Sequence, residues 1–254
     1  MDILFAKQAF KDYLTQYDHE NDKIKLKIVH TYGVVNCMDE ITRRMELPDE
    51  ERDLARLIAL LHDIGRFEQL KRFDSFEADV MDHAAYGVQI LFEEGMIRQF
   101  IKEDFYDEII KLAIAKHSDY ELSGIDDKRT LLHAKLIRDA DKLDNCRVKL
   151  EDKIETMLDL SADEVGMQTV SSEILNQVSQ KKAIFHPMRK TKMDYWVSYV
   201  AYFFDINFKE TLEIIDEHHY VDRIIDRIPY GNSKTASDME KIRNMINGYI
   251  KSRI

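Results

Sequence analysis

Six side chains in the first 141 positions form a set that could do chemistry: His30, His62, Asp63, His83, His117 and Asp141. Apart from the adjacent His62 and Asp63 they stand 20 to 34 residues apart, too far for a ligand pair on one helix. Only a folded bundle would bring them together. Neutral imidazole and carboxylate suit a divalent ion such as Mn, Fe, Co, Ni or Zn, and six donors accommodate two ions bridged by a carboxylate more easily than one. The two cysteines, Cys37 and Cys146, make no CxxC or Cys/His knuckle, which argues against both a closed structural zinc site and a disulfide framework. A divalent ion lowers the pKa of its water from ~15.7 towards ~7, so the expected chemistry is hydrolysis by metal-activated water. Negative charge developing on substrate oxygens in the transition state calls for nearby cations. Arg66 and Lys142 are the expected ones, completing a catalytic set with Asp63; Lys71, Arg72 and Arg147 are weaker candidates. Asp144, one turn beyond Asp141, is spaced to orient a ligand or water.

The elements that must carry these residues read as helices. Leu26, His30, Gly33, Cys37 and Ile41 recur at helical spacing from Asp22 onward and predict one buried stripe, with Cys37 as a packed thiol. A second helix opens after Pro48 on the acidic turn Asp49–Glu51, shows Leu54, Leu57, Ile58 and Leu61 to the core, and is expected to stop at Gly65. A polar, basic loop is expected from Arg66 to Asp79. Further helices carry His83, Gly87, Ile90 and Leu91, then Ile110, Ala113, Ile114 and His117. From about Thr130 to Lys149, the residues His133, Ile137, Ala140, Asp141 and Asp144 share one helix face, whereas Asp139 is rotated about 200° from Asp141. Helical patterning continues past Leu150 without a glycine-rich linker. The expected organisation is one helical domain over 1–254, with a metal-binding core at 24–150 and an extension at 151–254.

Composition agrees with helices and narrows the partners. Of 254 residues only 8 are Gly and 3 Pro, about 4% together against a usual ~12%, too few for many hairpin turns. A net charge of −11 without a Lys/Arg run disfavours nucleic acid. The most apolar window, Trp196 to Phe204, stops at Asp205, far short of the ~20 residues that cross a bilayer, so a core helix is expected and no membrane. The beginning MDILFAKQAF lacks the basic start of a secretory signal, and a cytoplasmic location is expected. The aromatic run Tyr195 to Phe208 reads as core or as a homodimer face. Of the other histidines, His133 reads as core, His218 and His219 as surface or interface of an acidic-polar helix, and His19 and His186 as lacking a ligand partner.

The stretch LLHDIGR, with His30 upstream, His83 and His117 downstream, and the closing RDADKLDN, resembles the HD superfamily of metal-dependent phosphohydrolases over residues 24 to about 150. HDIGRFEQ and DHAAYGVQIL resemble a bacterial branch of it. The resemblance implies an all-α HD-domain bundle in which His30, His62, Asp63 and Asp141 hold one metal. In the two-metal branch His83 and His117 would serve a second, with Asp63 bridging. No Gly-Tyr-Pro signature follows, so similarity to cyclic-dinucleotide phosphodiesterases ends at the ligands, and His117-Ser118 stands where some two-metal members have adjacent histidines. The expected function is metal-dependent hydrolysis of a small phosphorylated compound, foremost a nucleotide. Two alternatives remain: a di-iron oxygenase of HD type, separable by an iron redox signal, and a non-catalytic ligand-sensing module, against which the filled ligand positions argue.

Overall fold

The computed structural model describes residues 1–77 and 80–254, and every regular element among them is helical. Two compact units divide the chain, Met1–Asp144 and Asn145–Ile254.

In the first unit, α1 (Ile3–Leu14) begins at Asp2, whose carboxylate accepts from the backbone N–H groups of Leu4 and Phe5. Its spacing buries Ala6, Phe10, Tyr13 and Leu14, and the Phe10, Tyr13 and Tyr17 rings pack on Phe67. Burying a side chain of Phe size contributes about 1.5–3 kcal/mol. Helix α2 (Asp22–Arg44) is capped by Asn21 and turns Ile24, Thr31, Val34, Val35, Met38 and Ile41 into the core. This stripe lies one residue off the expected one: Leu26, Gly33 and Cys37 are only half-buried, so Cys37 is not a fully packed thiol. The face that His30 shares with Gly33 looks towards Asp144 instead of into the apolar core.

Helix α3 (Asp49–Leu61) opens on its acidic turn and buries Leu54, Leu57, Ile58 and Leu61. It does not run to Gly65, and the segment after it is not a loop. Asp63 opens α4 (Ile64–Phe73), because Ile64, Phe67 and Leu70 recur at helical spacing and are buried while Lys71 and Arg72 stay outside. Gly65 has no left-handed φ and caps nothing. A Cβ there would meet the His83 carbonyl oxygen at 2.3 Å and the Gly87 nitrogen at 2.6 Å, so its hydrogen side chain lets α4 approach the next helix. The expected loop is confined to the stretch after Asp74, which ends α4 in a left-handed conformation, and its last positions, Ala78 and Asp79, lie outside the described residues. Helix α5 (His83–Val88) is capped by Asp82 and runs into a π turn, Gln89–Glu93. Helices α6 (Asp107–Lys116) and α7 (Lys128–Glu151) follow. The unit boundary falls inside α7.

The second unit continues with α8 (Ile154–Leu158), α9 (Ala162–Gly166), α10 (Ser172–Ser179), α11 (Lys192–Ala201), α12 (Lys209–Glu217), α13 (Tyr220–Ile225) and α14 (Ser233–Lys251). Helix α14 packs against α10, α12 and α13. Trp196 and Phe203 are fully buried, which places the aromatic run largely in the core. His218 and His219 are exposed but sit at the junction of α12 and α13, His219 with a φ of 52°, not within a helix. Among the described residues no helix is long and apolar enough to cross a membrane.

His133 joins α7 to α3: its Nε2 lies 2.7 Å from Glu51 Oε2, and it takes no part in the cluster of the other first-unit histidines. Burial holds this imidazole below its ordinary 6.5 against the opposing pull of Glu51. As pH falls below 6.5 the unfolded chain takes up a proton that the folded chain resists, so stability contributed by the neutral group is intact above that pH and is lost below it. Urea denaturation at pH 7.5 and 5.5 is expected to show a loss larger in the wild type than in His133→Gln, by up to about 1 kcal/mol.

Candidate metal centre

The six residues arrive from six helices or their ends. His30 projects from α2, His62 ends α3, Asp63 opens α4, His83 begins α5, His117 ends α6 and Asp141 lies on α7. All six meet. His30 Nε2 is 3.0 Å from Asp141 Oδ1 and 4.0 Å from Asp63 Oδ2, while His62 Nε2 is 3.5 Å from Asp63 Oδ2 and 3.9 Å from Asp141 Oδ1. On the other side, Asp63 Oδ1 is 3.3 Å from His83 Nε2 and 3.7 Å from His117 Nε2, with the two Nε2 atoms 3.2 Å apart. The carboxylate of Asp63 therefore presents one oxygen to each of two donor groups. His30, His62 and Asp141 in one group, and His62, Asp63 and His117 in another, converge closely enough to hold an ion.

The donors suit a divalent ion in orientation and in protonation. His62 Nδ1 and His117 Nδ1 each donate to a backbone carbonyl three residues earlier, Ala59 and Ile114, at 2.7 Å. A neutral ring anchored in this way directs its Nε2 lone pair into the cluster. His30 Nδ1 is held 2.7 Å from Asp144 Oδ2, the orienting contact that the spacing of Asp144 suggests. His62 Nε2 and Asp63 Oδ1 are buried without a hydrogen-bond partner, an arrangement that costs about 1–3 kcal/mol for each group unless a ligand compensates. Burial pushes His62 down to about 4 and, together with the Arg66 charge, holds His83 well below the usual imidazole value. Burial alone would raise Asp63, but the Lys27 charge beside it, with the imidazoles around it, holds it well below the usual carboxylate range. Contact with His30 likewise outweighs burial at Asp141, which stays low. Neutral imidazoles and ionised carboxylates are the forms that ligate metal.

Two cations stand at Asp63. Arg66 is half-buried, with Nε 3.8 Å from Asp63 Oδ1 and Nη2 3.0 Å from His83 Nε2. Lys27, whose Nζ contacts Asp63 Oδ2, is absent from the residues singled out by sequence. Its signal was the three-residue spacing to His30 on the same helix, which a half-buried lysine obscures. Lys142 follows Asp141 on α7 and is half-buried. The weaker candidates are engaged elsewhere: Lys71 over the Tyr17 ring, Arg72 with Glu68 and Tyr86, and Arg147 with Glu151.

Residues 28–146 match the family model of the HD domain. The match supports membership of the HD superfamily for this domain, a family whose members are in general metal-dependent phosphohydrolases. Comparison with curated proteins and with solved structures found no match.

Gly33 makes the His30 anchor possible. A Cβ at this position would meet Asp144 Oδ1 at 2.0 Å and force the carboxylate off the ring. Gly33→Ala is expected to weaken divalent-ion binding about 10–100-fold, read by calorimetric titration of metal-stripped protein. Unchanged affinity would show that His30 needs no anchor.

Proposed function

We propose that the chain is a metal-dependent phosphohydrolase acting on a small phosphorylated compound, with nucleotides as the first substrate class. The observation that carries this reading is the buried Asp63 carboxylate, each oxygen facing its own set of imidazoles. In this reading His30, His62, Asp63 and Asp141 hold one ion, and Asp63, His83 and His117 a second. A divalent ion bound there supplies Lewis acidity and a water activated at neutral pH.

The protein's own groups do the rest. Asp144 and the Ala59 and Ile114 carbonyls fix the imidazoles, so no reorganisation is needed as charge develops. Arg66 and Lys142 meet the phosphoryl oxygens, and Lys27 keeps Asp63 ionised by pairing with it. In a chain of net charge −11 these cations provide the local attraction that an anionic substrate requires.

A panel of nucleotides and sugar phosphates, assayed with several divalent ions on protein of measured metal content, tests the reading. Turnover is expected with redox-inert ions; a strict need for iron and oxygen would favour oxygenase chemistry instead. Asp63→Ala is expected to abolish ion-dependent hydrolysis while far-UV circular dichroism keeps its helical form. Lys142→Met is expected to lower kcat about 100-fold at unchanged metal content, and an equal rate would return Lys142 to the surface charges.

A further inference from the structure

Arg66 lies where the second set of donors meets. Its Nη2 is 3.0 Å from His83 Nε2, and because a guanidinium has donors only, the imidazole nitrogen must be the acceptor. His117 Nδ1 lies 2.7 Å from the Ile114 carbonyl, which can only accept, so the tautomer this bond selects leaves a lone pair on Nε2. Asp63 Oδ1 adds a third acceptor, 3.3 Å from His83 Nε2 and 3.7 Å from His117 Nε2. Three acceptors thus converge, and the Arg66 N–H is directed at one of them. An ion ligated by His83 needs the same lone pair, so guanidinium and ion exclude one another at that atom. At the other set the neighbouring cation, Lys27, contacts Asp63 Oδ2 and takes no imidazole lone pair.

Resting on the reading of this cluster as a metal centre, we infer that Arg66 competes with a divalent ion for the His83 half, so that the two halves load in sequence and not together. Arg66 is held in the competing position from outside the cluster. Its Nη1 donates to Gln69 Oε1 at 2.7 Å and to the Phe76 carbonyl at 3.2 Å, and Gln69 Nε2 donates to the Glu77 carbonyl at 2.8 Å. The strength of the second half is therefore set by α4 and the segment that follows it.

Titration of the metal-stripped full-length chain with Mn²⁺, followed by calorimetry and by metal analysis of the dialysed protein, tests the inference without an activity assay. The wild type is expected to bind one ion tightly and a second at least about tenfold more weakly. Arg66→Met, which keeps bulk and removes the donor, is expected to tighten the second step about tenfold and leave the first within about threefold. Gln69→Leu, which frees the guanidinium from its anchor, is expected to move the second step in the same direction. Two equal sites in the wild type would overturn the inference without recourse to any variant. It would also be overturned by an unchanged second step in folded Arg66→Met, or by one ion only in every protein, and each of these results leaves the first metal set standing. No ion bound by any of the three proteins would overturn the metal reading itself.

Discussion

The Asp63 carboxylate is buried and ionised, with imidazoles facing both of its oxygens. An anion in that position has to be compensated by cations, because the desolvation cost of an unpaired buried charge is several kcal/mol. Lys27 and Arg66 flank it. They offset its charge, but neither gives the His62 lone pair a partner. Much of the first unit's detail follows from this constraint. The break between α3 and α4 puts His62 and Asp63 side by side at two helix ends, and Gly65 brings the next helix close enough to add His83.

The histidines and carboxylates of the cluster were legible in the sequence because polar groups recurring beside apolar helical stripes are conspicuous. Helix existence was legible for the same reason in α2, α3, α5, α6 and α7. What was not legible depends on close approach. Gly65 reads as a helix stop because glycine commonly is one, yet its position is set by the His83 carbonyl on another helix, a contact that no local pattern encodes. Reading Gly65 as a stop also turned α4 into a loop, since its basic residues drew attention away from Ile64, Phe67 and Leu70. Lys27 was hidden by residue type: most lysines are solvated, and only the fold brings this one to Asp63.

Helix α2 shows how one element serves two demands. A single stripe predicted from Leu26, His30, Gly33, Cys37 and Ile41 mixes two adjoining faces that the structure separates. Val34, Val35, Met38 and Ile41 supply apolar burial, and Lys27, His30 and Gly33 turn to the polar cluster. At 100° per residue the faces differ by about one position, so apolar periodicity finds the helix readily and its functional rotation poorly.

Two of the cluster's histidines are oriented by the ends of their own helices. His62 follows Ala59 by three residues and His117 follows Ile114 by three, and in each case the ring Nδ1 donates to that carbonyl at 2.7 Å. Carbonyls in the last turn of a helix have no partner within it and must be satisfied from outside. A histidine at the C-cap satisfies one of them, and the same bond fixes the tautomer that points Nε2 inward. Helix termination and imidazole orientation are then one interaction, which explains why the cluster gathers where α3 and α6 end.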